Sequence, residues 1–116
     1  MPNPIVHWEI GVRDRTKAQE FYARLFDWKI NSDDEMNYGM VETGGEGGID
    51  GGIAPAPGGQ PFLTFYIQVD DLQTYLDKAV SLGGEAVVPP TEIPNVGHFA
   101  MFKDPDGNTL GLFKTK

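Results

Sequence analysis

The sequence predicts an α+β fold built from two tandem βαβββ modules. Two observations carry that reading. The chain repeats itself at an offset of 57 residues, so that Val12–Asp14 recurs as Val69–Asp71, each ahead of an amphipathic run. At the same offset Ile5 matches Phe62, Ile10 matches Ile67, Leu25 matches Leu82 and Ile30 matches Val87. Each copy also holds one helical stretch among several short β-like stretches, which favours helices gathered on one side of curved sheets.

Residues 5–12, IVHWEIGV, are β-branched and aromatic and read as the first strand. Period-two geometry places Ile5, His7, Glu9 and Gly11 on one face, and the apolar Val6, Trp8, Ile10 and Val12 on the other. The apolar set is expected to face the helices and the other set a groove. Asp14 is a natural N-cap, and Ala18, Phe21, Tyr22, Leu25 and Phe26 fall at helical spacing as the expected buried stripe. Segments 28–31, 38–43 and 48–54 follow as a small antiparallel meander. Proline and glycine make 55–60 a linker. The second copy opens with 62–69 and caps its helix at Asp70 or Asp71. That helix turns Leu72, Tyr75, Leu76, Ala79 and Leu82 inward and stops at Gly83-Gly84. Strands at 85–88, 97–103 and 108–114 complete it, with DPDGN at 104–108 as a tight hairpin turn. The expected organisation is one domain over 1–116: module one at about 4–54, the linker, and module two at about 61–115.

A chain of 116 residues buries roughly 65% of its extended surface, enough for a core. No apolar run approaches the ~18 residues that span a bilayer, and the first residues lack the basic start and apolar centre of a signal peptide. The absence of cysteine removes disulfides, thiolate metal sites and a cysteine nucleophile, and fits a cytoplasmic protein. A net charge of −8 with scattered basic residues argues against nucleic acid as a partner. No G-x-S-x-G, P-loop or H-E-x-x-H motif is present. The glycines at 44–52 share only composition with a phosphate loop; two acids and no lysine there point instead to a mobile hairpin loop, placed to act as a lid.

The two βαβββ copies, the Phe21-Tyr22 pair, VDDL at 69–72 and DPDGN before the final strand together resemble the vicinal oxygen chelate superfamily, over about residues 4–115. This is the family of glyoxalase I, extradiol dioxygenases, and the bleomycin and fosfomycin resistance proteins. The resemblance implies modules paired into a cup-shaped mixed sheet with helices outside, and a homodimer. It also implies four pseudo-symmetric metal-ligand positions. The first falls on His7; the others fall on Thr64, Gly111 and about Gly51, within a residue or two. A divalent cation needs three or more protein donors, and glycine and threonine are poor ones. The family-type metal site is therefore not expected, no cofactor is predicted, and His7 is read as a groove-facing histidine.

A non-standard metal triad of His7, Glu9 and His98, with Glu42 nearby, is the alternative. Thr64, Tyr66 and Gln68 share the groove face as neutral hydrogen-bonding groups suited to a small organic ligand. Tyr38 and Phe99, on the middle strands, line the same pocket, while Trp8 and Trp28 are read as core. The primary functional expectation is a metal-independent, homodimeric module binding a small molecule through His7, Glu9, Tyr38, Thr64, Tyr66, Gln68, Phe99 and Gly111, as bleomycin-resistance proteins do. The alternatives are a divalent-metal-dependent lyase, isomerase or dioxygenase using His7 with non-standard ligands, and metal-free catalysis with Glu9 as general base. An accessory role through the acidic surface has no positive feature behind it.

Overall fold

The computed structural model describes residues 3–116, and its contacts divide into two compact units. One is His7–Thr64; the other joins residues 3–6 to Phe65–Lys116. The fold class is mixed α+β, and each unit carries one helix and one set of strands.

The first unit contains most of β1 (Ile5–Val12), then α1 (Arg15–Phe26), β2 (Lys29–Asp33), β3 (Tyr38–Glu42) and β4 (Gly51–Pro55). β2, β3 and β4 form the expected antiparallel meander, and β4 returns parallel to β1, giving the order β2-β3-β4-β1. The second unit repeats that path with the greater part of β5 (Phe62–Gln68), from Phe65 on, then α2 (Leu72–Ser81), β6 (Glu85–Ile93), β7 (Gly97–Lys103) and β8 (Thr109–Thr115). Here the order is β6-β7-β8-β5, again with the last strand parallel to the first. A 3₁₀ turn at Pro57–Gly59 occupies the linker.

The repeat is visible in the caps. Asp14 accepts from the Lys17 amide and Asp71, 57 residues on, from the Thr74 amide, both at 3.0 Å. Each satisfies one of the amides that the first turn of a helix leaves unpaired. The DPDGN turn closes as expected: the Asp104 carboxylate accepts from the amides of Asp106 and Asn108 and from the Asn108 side chain. Those bonds, the Asn108 side chain foremost, hold the Asp104 carboxyl below the usual range.

Four expectations are corrected. α1 buries none of its residues, and Phe21, Leu25 and Phe26 are exposed, although Ala18 and Tyr22 are half-buried. The reason is polar: Gln19 covers the bare backbone of Gly39, and Arg15 donates to Asn37, Gln19 and Asp34, so these two residues take the inward position. Leu82 is exposed because it is the C-cap residue of α2, one step past the turn that packs. Trp8 and Trp28 stand in a half-buried aromatic cluster with Tyr22 and Phe26, outside the core. β6 also runs well beyond 85–88, through Pro89 and Pro90. It is bonded on one side only, to β7, and the ladder shifts register there, which is where a sheet tolerates proline.

The second unit has the larger core: Val69, Leu72, Leu76, Ala100 and Leu112, flanked by Ile67, Tyr75 and Phe102. In the first unit Val41 and Ile53 are fully buried. Among the described residues no helix is long and apolar enough to cross a membrane.

Candidate functional site

Alternation along β1 puts His7 and Glu9 on one face, and the ladder decides what reaches them. Glu9 lies opposite Gly52 of β4, and Gly52 lies opposite Met40 of β3. Tyr38 is two residues before Met40 and so on the same face of β3. Two strand spacings, ~9.5 Å, separate β1 from β3. A side chain at Gly52 would occupy that span; a Cβ there would collide with the Tyr38 hydroxyl and ring. Because the position is glycine, Tyr38 reaches across β4.

The result is a hydrogen-bonded chain of three side chains. The Tyr38 hydroxyl donates to Glu9 Oε1 at 2.9 Å. Its oxygen therefore accepts from His7 Nε2, 2.7 Å away, which sets His7 as the tautomer carrying its proton on Nε2. The His7 and Tyr38 rings lie stacked, with centroids 6.2 Å apart. Burial pushes the His7 pKa below its ordinary value of 6.5, and the charge of Asp50 opposes that shift more weakly. His7 is thus a neutral imidazole near pH 7. Chemically the three groups can orient a polar ligand and pass a proton between an imidazole, a phenol and a carboxylate.

Asp50 belongs to the 44–52 loop, which is tied back by several bonds. The Thr43 amide donates to Asp50 Oδ1 at 3.1 Å, and the Trp8 indole donates to the Ile49 carbonyl at 2.6 Å. Neither Asp50 nor the space made by Gly52 stood out among the sequence candidates. The Gly51-Gly52 pair in a strand interior was the available signal, since glycine there marks a close approach.

The other candidates are placed as follows. Thr64 and Tyr66 are buried on β5, and the Tyr66 ring lies over Gly111, its partner on β8. Gln68 is half-buried, its backbone N–H donating to the Pro4 carbonyl at 2.8 Å. Phe99 is half-buried on β7, between Thr91 and Phe113 in register. His98 is exposed opposite Glu92 and Lys114 in register, and the Glu42 carboxylate accepts from Asn31 and faces Lys29. The register also settles the mate of Gly111. Gly111 pairs with Tyr66 and Gly52 pairs with Glu9, 57 residues earlier, so the mate is Gly52, one residue on from Gly51.

This donor set does not fit the divalent centre that the resemblance implies. His7 Nε2 is engaged by Tyr38, two of the four positions are glycines overlaid by tyrosine rings, and a third is a neutral threonine. Among the described residues no three His, Cys, Asp or Glu side chains gather to hold a metal ion.

Comparison with known proteins is decisive about descent. The family model described as Glyoxalase/Bleomycin resistance protein/Dioxygenase superfamily matches residues 4–112. The chain belongs to that superfamily. It is 30% identical over 115 residues, 91% of its length, to the Mycobacterium bovis protein named "Putative glyoxylase CFP32". It is 23% identical over 130 residues, 97% of its length, to the anthracycline biosynthesis protein DnrV of Streptomyces peucetius. The alignments cover 43% and 47% of those proteins, so the superfamily member described here spans about half the length of the curated relatives it matches. Its fold is shared with methylmalonyl-CoA epimerase from Mycobacterium tuberculosis, at a TM-score of 0.68 and 16% identity, over 97% of this chain and 87% of that one.

Proposed function

We propose that this superfamily member binds a small, partly apolar organic molecule in the cytoplasm, against the His7–Tyr38–Glu9 face and without a family-type divalent ion. The hydrogen-bonded chain itself carries the reading: the one imidazole at a family ligand position spends its Nε2 on Tyr38. What such a face offers a ligand is a neutral imidazole, a phenol and one carboxylate. That suits orientation of hydroxyl, amide or amine groups better than chelation of a cation. The cysteine-free composition supports the cytoplasmic assignment.

The test is elemental analysis of untagged protein combined with a thermal-shift screen of organic ligands and of zinc, nickel, manganese and iron salts. The expected outcome is less than stoichiometric metal, no shift with metal or chelator, and stabilisation by an organic ligand. At 100 times its dissociation constant such a ligand adds about 2.7 kcal/mol. Stoichiometric, tightly held metal overturns the reading. It would favour a metal-dependent lyase, isomerase or dioxygenase instead, in which His7→Ala abolishes metal uptake and turnover together.

A further inference from the structure

The linker does more than join the two copies. Gly58 and Gly59 both adopt positive φ in its 3₁₀ turn. Two hydrogen bonds pin that turn to the end of β1. The Ala56 backbone N–H donates to the Val12 carbonyl at 2.7 Å, and Arg13 Nε donates to the Gly59 carbonyl at 2.9 Å. Beside them lies a recess of about 560 Å³ whose apolar walls are Ile10, Val12, Tyr22, Pro61, Phe62 and Leu63. The Phe62 ring sits against bare backbone at Gly11, where a Cβ would collide with it. All of these residues belong to one unit. A volume of this size is typical of small-molecule sites, which are mostly apolar with a few placed polar groups.

We infer that this recess is a second ligand site, built for a small apolar carboxylate whose aromatic or branched-alkyl body fills the recess while its acid group pairs with Arg13. Charge complementarity carries the argument. Among the described residues Arg13 is the one charged side chain lining the recess, and it makes no ion pair, although the chain holds 17 acids to 9 basic residues. Arg15, Arg24 and Lys29 each face a carboxylate instead. The neighbouring Asp14 gives its carboxylate to the Lys17 backbone N–H as the helix cap. Gly59 takes only the Nε proton of Arg13, so the guanidinium is held in place and both terminal nitrogens remain to bind a carboxylate side by side. Tyr22 brings a hydroxyl with no hydrogen-bond partner among the described residues, a further donor at the recess. Local charge agrees. Residues 13–27 hold Arg13, Arg15, Lys17 and Arg24 against Asp14, Glu20 and Asp27, a net charge of +1 in a chain of −8, so an anion meets less repulsion here than over the acidic remainder. The recess shares no residue with His7, Tyr38 and Glu9, and its occupancy is independent of what binds there.

Titration of the nitrogen-15-labelled chain with cinnamate, followed by NMR at the backbone amides and at Arg13 Nε–H, tests this. Two control probes keep the aromatic body and change the head group: neutral cinnamamide and the cation cinnamylammonium. The expected result is saturable shifts at Gly11, Val12, Leu63 and Arg13 Nε–H with cinnamate, and binding at least ~10-fold weaker for both controls. Arg13→Gln should weaken cinnamate by a similar ~10-fold and leave cinnamamide unchanged, a split that a merely structural Arg13 would not produce. Leu63→Ser, at a position 78% exposed, should weaken acid and amide alike. Should Arg13→Gln fold poorly, the comparison of the three probes on the unmodified chain still decides. Equal affinity for acid and amide overturns the inference, as do shifts confined to His7, Glu9 and Tyr38, or no saturable shift at millimolar cinnamate. So does movement of the recess resonances with protein concentration alone, which would mean that a second copy covers them.

Discussion

In the unit built on α2, Leu72 and Leu76 lie buried with Val69, Ala100 and Leu112, whereas α1 in the other unit buries no residue at all. The difference extends to the chemistry on the sheets. Gly52 and Gly111 hold matching places, opposite Glu9 and Tyr66 on the first strand of each copy and opposite Met40 and Met101 on the middle one. By that register Glu9 corresponds to Tyr66, His7 to Thr64, and Tyr38 to Phe99. One copy thus carries an imidazole, a phenol and a carboxylate where the other carries a threonine, a tyrosine and a phenylalanine. Both keep the bare strand position with an aromatic ring across it, Tyr38 in one and Tyr66 in the other. Duplication preserved the backbone device, while the side chains took separate work: one copy consolidates apolar packing, and the other holds a polar chain and an exposed apolar face.

The largest expected effect contrasts the two helices. Leu76, 3% exposed, should cost about 2–5 kcal/mol when cut to Ala, through lost burial and the cavity left behind. Leu25, 56% exposed, should change stability by no more than ~0.5 kcal/mol. Urea denaturation midpoints of the two variants measure this. Equal losses would mean that α1 packs as tightly as α2, and the contrast between the copies would collapse.

An intermediate effect belongs to the polar chain. Tyr38→Phe removes the hydroxyl that both His7 and Glu9 use, and should cost about 1–3 kcal/mol because half-buried polar groups lose a partner. Gly52→Ala should destabilise as well, since its Cβ lands on the Tyr38 ring and hydroxyl. Combining Gly52→Ala with Tyr38→Ala should cost less than the sum of the two single changes, because the clash is then gone. Strict additivity in that cycle would show that Tyr38 does not lie across β4.

These details mark where the sequence stops being readable. Asp14 and Asp71 announce their helices because a cap is a local bond, three residues long. His7 and Glu9 share a face by strand period alone. Joining Tyr38 to them depends on the pairing of β4 between β1 and β3, a long-range register that no local pattern encodes. The apolar spacing on α1 pointed to the wrong inward face because the true partners of Arg15 and Gln19, namely Gly39, Asn37 and Asp34, lie at least 19 residues from them along the chain. Pro89-Pro90 looked like the end of a strand because local rules do not know which strand forms an edge.

The smallest effect is the pH response of the histidine that the second copy replaces with Thr64. Burial lowers the His7 pKa in the folded state, so the unfolded chain binds its proton more readily. Between the ordinary value of 6.5 and the lower folded value, unfolding takes up a proton, and stability therefore falls as pH falls through that window. Above 6.5 both states are neutral and the contribution is flat. Protonation would not break the bond to Tyr38, since Nε2 already donates; the cost lies in placing a cation where water is scarce. His7→Gln removes the titration, so the difference in thermal midpoint between the unmodified chain and this variant should narrow on acidification below 6.5. An unchanged difference would mean that His7 is as well solvated folded as unfolded, and that its neutral form is no property of the site.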